Sequence, residues 1–424
     1  EIATVEPEFS SDLETILGWA DEFARVRVYA NADTPIDAER ARGYGARGIG
    51  LCRTERMFND PRRLPIVQDM ILAATAEERE EALARLLPIQ REDFKGIFKA
   101  MAGMPVTIRL LDPPIHEFLP TASQLEFDIS HLHHLARAVS SMDELPDTLK
   151  LLDPELHKSH LHELEKLALS LREFHDAGRD NALLARKEAM LRKVRQLFEV
   201  NPMLGRLFFF NDTATTEIYT MQIRAILEAA AECQKEGIAV FPEIMVPQVA
   251  ELIELERVHA QIEDILAEVE AASGIKVPFK FGSMMEVVRG CLRAAEIAGL
   301  AEFFSFGTND LTQATFSFSR EDAENKFLPD YIEKGILKDN PFEILDVKGV
   351  GRLMDMAVRW GRETRPELKV GICGEHGGQP ESIRFCHFIG LNYVSCSAPR
   401  VPIARLAAAQ AKLLEGDYGK GLFE

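Results

Sequence analysis

Short apolar runs rich in β-branched and aromatic residues alternate with long helical patterns along most of this chain. Most runs are followed by a polar or glycine-bearing turn and then a helix, which is typical of βα units and a parallel sheet. Eight runs are predicted to be strands: VRVYA (26–30), GIGLC (48–52), VTIRLL (106–111), AVFPEIMV (239–246), FKFGSMM (279–285), FFSFGT (303–308), LKVGIC (368–373) and YVSCS (393–397). Eight strands separated by helices favour an α/β fold, a closed (β/α)₈ barrel of the TIM type. The pattern alone leaves an open, doubly wound sheet as the alternative.

The connection between the third and fourth runs is too long for an ordinary βα link. Within it, residues 121–199 are charged and helical in pattern, and Leu191, Val194 and Phe198 fall on one helical face. We therefore predict a helical insertion between strands 3 and 4, packed against the barrel or a neighbouring domain. The whole chain, 1–424, is predicted to form a single barrel domain that carries this insertion, 121–199.

Composition and charge limit the class of protein. The chain has 424 residues, 46% of them hydrophobic, which is enough for a large core. Its formal net charge of −19 argues against non-specific nucleic-acid binding. No apolar run is long enough to span a membrane. The chain begins at Glu1 without a signal-peptide pattern, so we expect a trimmed or partial, unsecreted protein. Six cysteines without a CxxC pair fit a reduced, cytoplasmic protein.

Two carboxylates follow neighbouring predicted strands. Glu286 comes directly after the fifth strand, and Asp310 follows the sixth. Because parallel strands end at one rim of a barrel, these side chains are expected to converge on a small volume. Carboxylate oxygens with open positions suit Mg²⁺. The alternative is that each carboxylate only caps the helix that follows it.

Arginines and a cysteine occupy the same predicted rim. Arg53 and Arg109 are placed to hold a carboxylate or phosphate through paired hydrogen bonds. Structural ion pairs with Glu55 or Asp112 are the competing explanation. Cys373 opens the glycine-rich turn CGEHGG, where a thiol can exchange a proton, although free cysteine is commonly a small buried hydrophobe. These residues together predict a Mg²⁺-dependent barrel enzyme that acts on a small anion.

Five segments carry a family resemblance: GIGLCRTERMF (48–58), TIRLLDPPIHEFLP (107–120), FFSFGTNDLTQ (303–313), GICGEHGG (371–378) and NYVSCSAPRVPIARLAAAQA (392–411). They closely resemble the C-terminal domain of the pyruvate, phosphate dikinases, and the similarity covers nearly the whole chain apart from 121–199. TNDLTQ and CGE are shared with phosphoenolpyruvate synthase and the sugar phosphotransferase enzyme I. LDPPIHEF and EHGG point to the dikinases.

This resemblance implies a barrel that binds pyruvate or phosphoenolpyruvate with Mg²⁺, receives a phosphoryl group from a phosphohistidine domain and forms a homodimer. Glu286 and Asp310 would be the metal ligands, and Cys373 would move the proton on the methylene carbon of the enolate. Arginines and residues of the GTN turn would contact the substrate: Arg109, Arg53, Arg320, Gly307, Thr308 and Asn309.

Two elements of the full family pattern are not found in the sequence. It has neither a GGxTSHAA-like stretch for the phosphohistidine nor a glycine-rich nucleotide-binding region. We therefore expect only the pyruvate half of the reaction here, with the ATP-binding and phosphohistidine domains absent. The alternatives are a synthase-like or enzyme I-like barrel, or a non-catalytic fragment.

The stretch NPMLGRLFFFNDTATTEIYTMQ (201–222) departs from the family. There NPMLG is normally followed by HRGCRL, so two family arginines align with Leu207 and Phe210, and Arg206 is one position off. NDTATTEIYT also matches the conceptual translation of a common DNA-sequencing adapter. We interpret residues 206–220 as a sequencing or assembly artefact that replaces a substrate-binding arginine, and we expect the literal sequence to be impaired.

Overall fold

Eight parallel strands form the centre of the structure. The computed structural model describes residues 10–112, 118–141, 162, 163, 166, 169, 170, 179–197 and 213–415. The strands are β1 (Arg27–Asn31), β2 (Ile49–Arg53), β3 (Pro105–Arg109), β4 (Phe241–Val246), β5 (Lys280–Met285), β6 (Phe303–Phe306), β7 (Lys369–Ile372) and β8 (Tyr393–Ser397). Each lies within three residues of its predicted bounds.

The strands close into a barrel in sequence order. Every neighbouring pair is parallel, and β8 pairs with β1 in a register that runs from Arg27 opposite Tyr393 to Asn31 opposite Ser397. This closure confirms the predicted (β/α)₈ barrel and rules out the open sheet. All eight strands therefore present their carboxyl ends at one rim.

Helices follow the strands and fill the connections between them. The first group is α1 (Ser11–Phe23), α2 (Pro35–Gly43), α3 (Thr54–Phe58), α4 (Leu64–Leu72), α5 (Ala76–Ala100), α6 (Ala122–Ser141), α7 (Arg179–Leu197) and α8 (Thr213–Lys235). The second is α9 (Leu252–Ser273), α10 (Val288–Leu292), α11 (Ala294–Ile297), α12 (Thr308–Phe316), α13 (Arg320–Lys326), α14 (Leu328–Glu333), α15 (Val350–Thr364), α16 (Pro380–Phe388) and α17 (Val401–Leu413). Within the described part of the chain, no helix combines the length and the apolar character needed to cross a bilayer.

Local sequence signals set the ends of these helices. At the start of α9, the side chain of Glu254 accepts hydrogen bonds from the backbone N–H groups of Ala250 and Glu251, at 2.7 and 3.0 Å. These bonds satisfy donors that a helix start leaves open. At its other end Gly274 adopts a left-handed conformation with φ of 71°, which glycine reaches without steric cost.

The described residues divide into two compact units. The barrel unit contains residues 10–63, 80–112 and 213–415, and the second unit contains 64–79, 118–141 and 179–197. In the second unit α7 is tied to α6 by an ion pair between Lys187 and Asp128 at 2.8 Å, and to α4 by one between Arg186 and Asp69 at 2.9 Å. The predicted insertion boundaries, 121–199, stay a prediction, and Phe198 lies outside the described residues.

A polar layer, here called the barrel floor, fills the interior toward the amino ends of the strands. Lys369 Nζ lies 2.7 and 2.8 Å from the two carboxylate oxygens of Glu243, and Thr107 donates to the same carboxylate at 2.8 Å. The ammonium also lies 4.9 and 4.8 Å from the ring centres of Tyr29 and Tyr393. Those two rings stack with centroids 4.6 Å apart. The buried charges of this layer are thus paired and hydrogen-bonded, which offsets the cost of burying them.

Candidate active site

Three carboxylates meet at the carboxyl ends of β3, β5 and β6. One oxygen each from Asp112, Glu286 and Asp310 lies within 4.8 Å of the others. Glu286 is fully buried, and Asp112 and Asp310 are half-buried. The structure thus brings Glu286 and Asp310 together, as their positions at neighbouring strand ends predict, and it adds Asp112.

This acidic cluster has the donor set of a magnesium site. Mg²⁺ takes oxygen ligands, is bound by few protein carboxylates and leaves positions for water and substrate. A fully buried carboxylate such as Glu286 is costly unless charge or hydrogen bonds compensate it. Positive charge next to the cluster comes from Arg109, whose guanidinium is paired with Asp112. The three carboxylates therefore fit a divalent cation.

Arg109, the last residue of β3, is held between acidic partners. Its Nη1 lies 2.7 Å from Asp112 Oδ2, and its Nη2 donates to Glu55 Oε1. Burial by itself would lower the pKa of Arg109, but Asp112, Glu55 and Glu286 raise it well above the ordinary value. Arg109 therefore forms the structural ion pairs with Glu55 and Asp112 that the sequence offered as the alternative to substrate binding. Its charge also lies beside the acidic cluster, where a substrate anion would need it.

Arg53, the last residue of β2, is fixed by a single carboxylate. Its Nη2 lies 2.7 Å from Asp33 Oδ2, and its backbone N–H donates to Asp33 Oδ1 at 2.8 Å. The partner is therefore Asp33 and not Glu55, the residue expected from the sequence. A side chain held in this way presents its remaining guanidinium edge in a fixed direction.

Arg320, at the start of α13, extends to the turn that follows Cys373. It lies 3.1 Å from Glu324 and 3.1 Å from Glu375. Burial lowers its pKa, but the two carboxylates raise the pKa above its ordinary value. Its guanidinium also lies 5.4 Å from the ring centre of Phe342, which adds a cation–π contact.

Cys373 follows β7 directly and is almost completely buried, with 2% of its surface exposed. It packs with Leu51, Met245, Met284 and Phe303. Burial raises the pKa of its thiol to about 11, against a lowering by a hydrogen bond to Ser305 and by the charge of Arg109. Burial therefore favours the protonated thiol, the form that can donate a proton.

Two other residues of the glycine-rich turn, Gly374 and His376, contact Thr308. His376 Nδ1 lies 2.8 Å from Thr308 Oγ1, and its Nε2 lies 3.0 Å from the carbonyl oxygen of Pro341. Since a carbonyl only accepts, Nε2 carries the proton and Nδ1 accepts from the Thr308 hydroxyl. A Cβ at Gly374 would lie 2.2 Å from that hydroxyl oxygen, so the close approach requires glycine. His376 therefore supports Thr308 in the turn that follows β6.

Replacing His376 with glutamine is expected to reduce the loss of unfolding free energy that occurs as the pH falls below neutral. Burial lowers the pKa of His376 to about 4, from 6.5, so the folded state disfavours the proton. Stability from this residue is complete above pH 6.5 and is lost as the pH falls toward 4. Between pH 7.5 and 4.5 the native chain should lose about 2–3 kcal/mol more than the variant. Urea titrations at both pH values measure this, with His134→Gln, at an exposed site on α6, as the control; equal losses would contradict it.

Gly307 and Asn309 flank Thr308 in the turn between β6 and α12. A Cβ at Gly307 would lie 2.6 Å from Glu286 Oε2 and 2.6 Å from Met284 Cε, so glycine lets this turn approach the acidic cluster. The amide oxygen of Asn309 is buried and has no hydrogen-bond partner among the described residues. A buried acceptor without a partner is costly, and a bound ligand that donates a hydrogen bond would satisfy it.

A cavity of about 860 Å³ opens beside this turn, at the ends of β1, β2, β7 and β8. Five arginines line it: Arg40, Arg53, Arg56, Arg320 and Arg400. Four carboxylates also reach it: Asp33, Asp37, Glu343 and Glu375. Arginines thus outnumber carboxylates by one in this cavity, in a chain whose net charge is −19, and a local excess of positive charge favours anions.

Two contributors to the rim were missed from the sequence. Asp112 was considered only as an ion-pair partner of Arg109, although its place after β3 is the signal that identifies it. Asn31, the last residue of β1, donates to the carbonyl oxygen of Cys373 at 3.1 Å and accepts from Ser395 Oγ at 2.6 Å. An asparagine at a strand end is a weak signal, because it is also a common turn residue.

The positions that align with the family's HRGCRL element, Arg206, Leu207 and Phe210, lie outside the described residues. The interpretation of 206–220 as an artefact therefore stays a prediction. From Ile218 onward α8 is anchored beside the site. Tyr219 donates to the Leu111 carbonyl oxygen at 3.1 Å, and the Leu111 N–H donates to Gln222 Oε1 at 2.8 Å. Tyr219, near the end of the segment 206–220 that we interpret as an artefact, thus makes a buried contact next to Asp112.

Comparison with known proteins agrees with this geometry. A profile of the family described as PEP-utilising enzyme, PEP-binding domain, matches residues 8–413. The chain is 51% identical over 415 residues to a pyruvate, phosphate dikinase of Entamoeba histolytica, covering 97% of this chain and 42% of that protein. It is 47% identical over 408 residues to pyruvate, phosphate dikinase 2 of Oryza sativa subsp. japonica, covering 96% of this chain and 40% of that protein.

A third relative gives the same result. Pyruvate, phosphate dikinase 1, chloroplastic, of Arabidopsis thaliana is 48% identical over 408 residues, covering 96% of this chain and 37% of that protein. The chain thus spans about two fifths of the length of these curated relatives. The profile match and the three identities together show that this chain belongs to the family of PEP-utilising enzymes and spans its PEP-binding domain.

Proposed function

We propose that this chain is the pyruvate-binding part of a pyruvate, phosphate dikinase. In the full enzyme the reaction would be ATP + pyruvate + phosphate to AMP + phosphoenolpyruvate + diphosphate. The observation that carries the proposal is the grouping of Asp112, Glu286, Asp310, Arg109 and Cys373 at one rim of a PEP-binding barrel. The names of the relatives favour a dikinase over a synthase-like or enzyme I-like protein.

Glu286 and Asp310, with Asp112 beside them, would hold Mg²⁺. The cation would neutralise charge that develops on the enolate and phosphoryl oxygens. The substrate-contact set proposed from the family resemblance is Arg109, Arg53, Arg320, Gly307, Thr308 and Asn309. Among these, Arg109 supplies charge next to the acidic cluster, and the Asn309 amide oxygen is a buried acceptor that awaits a donor.

Cys373 would act on the methyl or methylene carbon. Toward pyruvate, the thiol donates its proton to the enolate carbon, a role that suits a pKa of about 11. Toward phosphoenolpyruvate, the thiolate takes a proton from the methyl group, and the enolate oxygen then attacks phosphorus. The N–P bond of the phosphohistidine breaks as the O–P bond forms. Arg109 lowers the thiol's pKa and so assists this direction.

The partner of this chemistry would be a phosphohistidine domain elsewhere in the full protein. The arginine-lined cavity beside Cys373 supports its arrival, because a phosphoryl group is an anion. A homodimer is supported by the stripe of Ile16, Trp19 and Phe23, which are exposed at spacings of three and four residues on α1. A cytoplasmic setting is supported by six cysteines that are all free and buried.

Exchange of pyruvate methyl protons tests the proposal. In deuterated water with Mg²⁺, the chain is expected to exchange these protons above the solvent background, and a chelator should stop it. The variant Glu286→Gln removes a proposed metal ligand and should give only the background rate. If the native chain and Glu286→Gln both give only that rate, the alternative of a non-catalytic barrel is favoured.

A further inference from the structure

Gln248 lies two residues beyond β4, in a conformation that side chains other than glycine seldom adopt. Its φ is 60°, and only 7% of its surface is exposed. Left-handed backbone at such a residue is strained, and it persists only where the surroundings hold it.

Both of its donors point at the acidic cluster. The backbone N–H of Gln248 donates to Glu286 Oε1 at 2.8 Å, and its side-chain Nε2 donates to Asp310 Oδ2 at 3.2 Å. One residue from the β4 loop therefore joins the carboxylates that come from the ends of β5 and β6. The side-chain amide oxygen of Gln248 is buried and lacks a hydrogen-bond partner within the described residues. The amide is therefore incompletely hydrogen-bonded, and its own hydrogen bonds do not explain why it is buried.

A second amide completes the support of Asp310. Gln313 Nε2 donates to Asp310 Oδ1 at 3.0 Å, so a glutamine amide donates to each of the two oxygens of Asp310. Neutral donors fix the direction of a carboxylate and leave its negative charge available to a cation. An arginine or lysine in the place of Gln248 would neutralise that charge and compete with the metal.

We propose that Gln248 is a positioning residue that sets the selectivity of this site for Mg²⁺ over Ca²⁺, an inference that rests on the proposed function. Mg²⁺ requires near-ideal geometry at short oxygen distances, whereas Ca²⁺ accepts a larger and more variable set of oxygens. Two carboxylates clamped at a fixed separation favour the smaller ion. Loss of the clamp is therefore expected to weaken Mg²⁺ binding more than Ca²⁺ binding.

The variant Gln248→Gly separates this role from a structural one. Glycine relieves the strain at positive φ and keeps the N–H that binds Glu286, but it loses the amide that holds Asp310. Mg²⁺ affinity of the full chain, measured by calorimetry, is expected to fall about 10- to 100-fold, the range for a hydrogen bond to a charged group. Ca²⁺ affinity should change less than threefold. Melting of the metal-free variant should occur at or above the native temperature, because the strain is gone.

Gln90→Met is the matched control, since Gln90 is a buried glutamine of α5 whose amide contacts Met57 Sδ rather than a carboxylate. Its Mg²⁺ to Ca²⁺ affinity ratio should equal the native ratio. Native Mg²⁺ affinity in Gln248→Gly, or an equal fall for both ions, would overturn the positioning role while leaving the proposed function intact. If the native chain binds neither ion, or if Glu286→Gln binds Mg²⁺ as the native chain does, the cation site itself fails, and both proposals fail with it.

Discussion

Replacing residues 206–211 with the sequence HRGCRL is expected to raise the rate of pyruvate methyl-proton exchange by about 10²–10³. The family resemblance places two arginines at the positions of Leu207 and Phe210, and one of them binds substrate. A preorganised donor that meets developing negative charge contributes this much to rate, because a site shielded from water strengthens its electrostatic interaction. The measurement compares exchange in deuterated water, with Mg²⁺, before and after the replacement.

A control must separate the placement of these arginines from a simple gain of charge. The triple variant Arg206→His, Phe208→Arg and Phe209→Arg gives the segment the same residue charges at neighbouring positions and should leave the exchange rate unchanged within about threefold. An equal gain in both variants would show that charge alone is responsible. Sequencing this region from independent DNA adds a second check, since an identical read would contradict the artefact interpretation.

The chain that carries HRGCRL at 206–211 is here called the restored chain. Replacing Cys373 with alanine in it is expected to lower the exchange rate by about 10²–10⁴, the usual contribution of a positioned acid or base. The thiol follows β7, lies in the cluster with Met245 and Met284, and is under the influence of Arg109. The Mg²⁺ affinity of this variant should equal that of the restored chain, because the proposed metal ligands are carboxylates and the sulfur of Cys373 is not one of them. Exchange is followed by the loss of the methyl proton signal.

Cys386→Ala provides the matched comparison. Cys386 is an equally buried thiol, and it belongs to α16 rather than to the strand ends. Its variant should keep the exchange rate of the restored chain. Undiminished exchange in Cys373→Ala would remove Cys373 from the mechanism, and a matching loss in Cys386→Ala would point to packing rather than proton transfer.

The barrel was predictable because its strands are buried apolar runs and because clear turn residues follow most of them. Apolar runs that end in polar or glycine-bearing turns placed all eight strands within three residues of their observed bounds. The errors have a physical reason. The pattern of FFSFGT predicts a strand to residue 308, but the strand ends at Phe306, because Gly307 turns the chain and Thr308 starts α12.

The geometry of the rim depended on contacts between residues far apart in sequence. Nothing local to Gln248 predicts its left-handed backbone, since the conformation is held by Glu286 and Asp310. The pairing of Arg53 with Asp33 likewise joins two strand ends that a linear pattern does not relate. Strand-end position thus predicted which residues gather at the rim, whereas their hydrogen-bond partners emerged only from the packed fold.

The barrel floor has a consequence for the order of events. Lys369, Glu243 and the stacked rings of Tyr29 and Tyr393 fill the interior toward the amino ends of the strands, and a TIM-type barrel is a packed core rather than a pore. We therefore expect a small molecule to approach Cys373 from the rim. Under the proposed function, a phosphohistidine domain that docks on that rim covers the approach to Cys373. We then expect pyruvate to bind before that domain arrives and phosphoenolpyruvate to leave after it withdraws, so that the time the domain stays bound limits turnover.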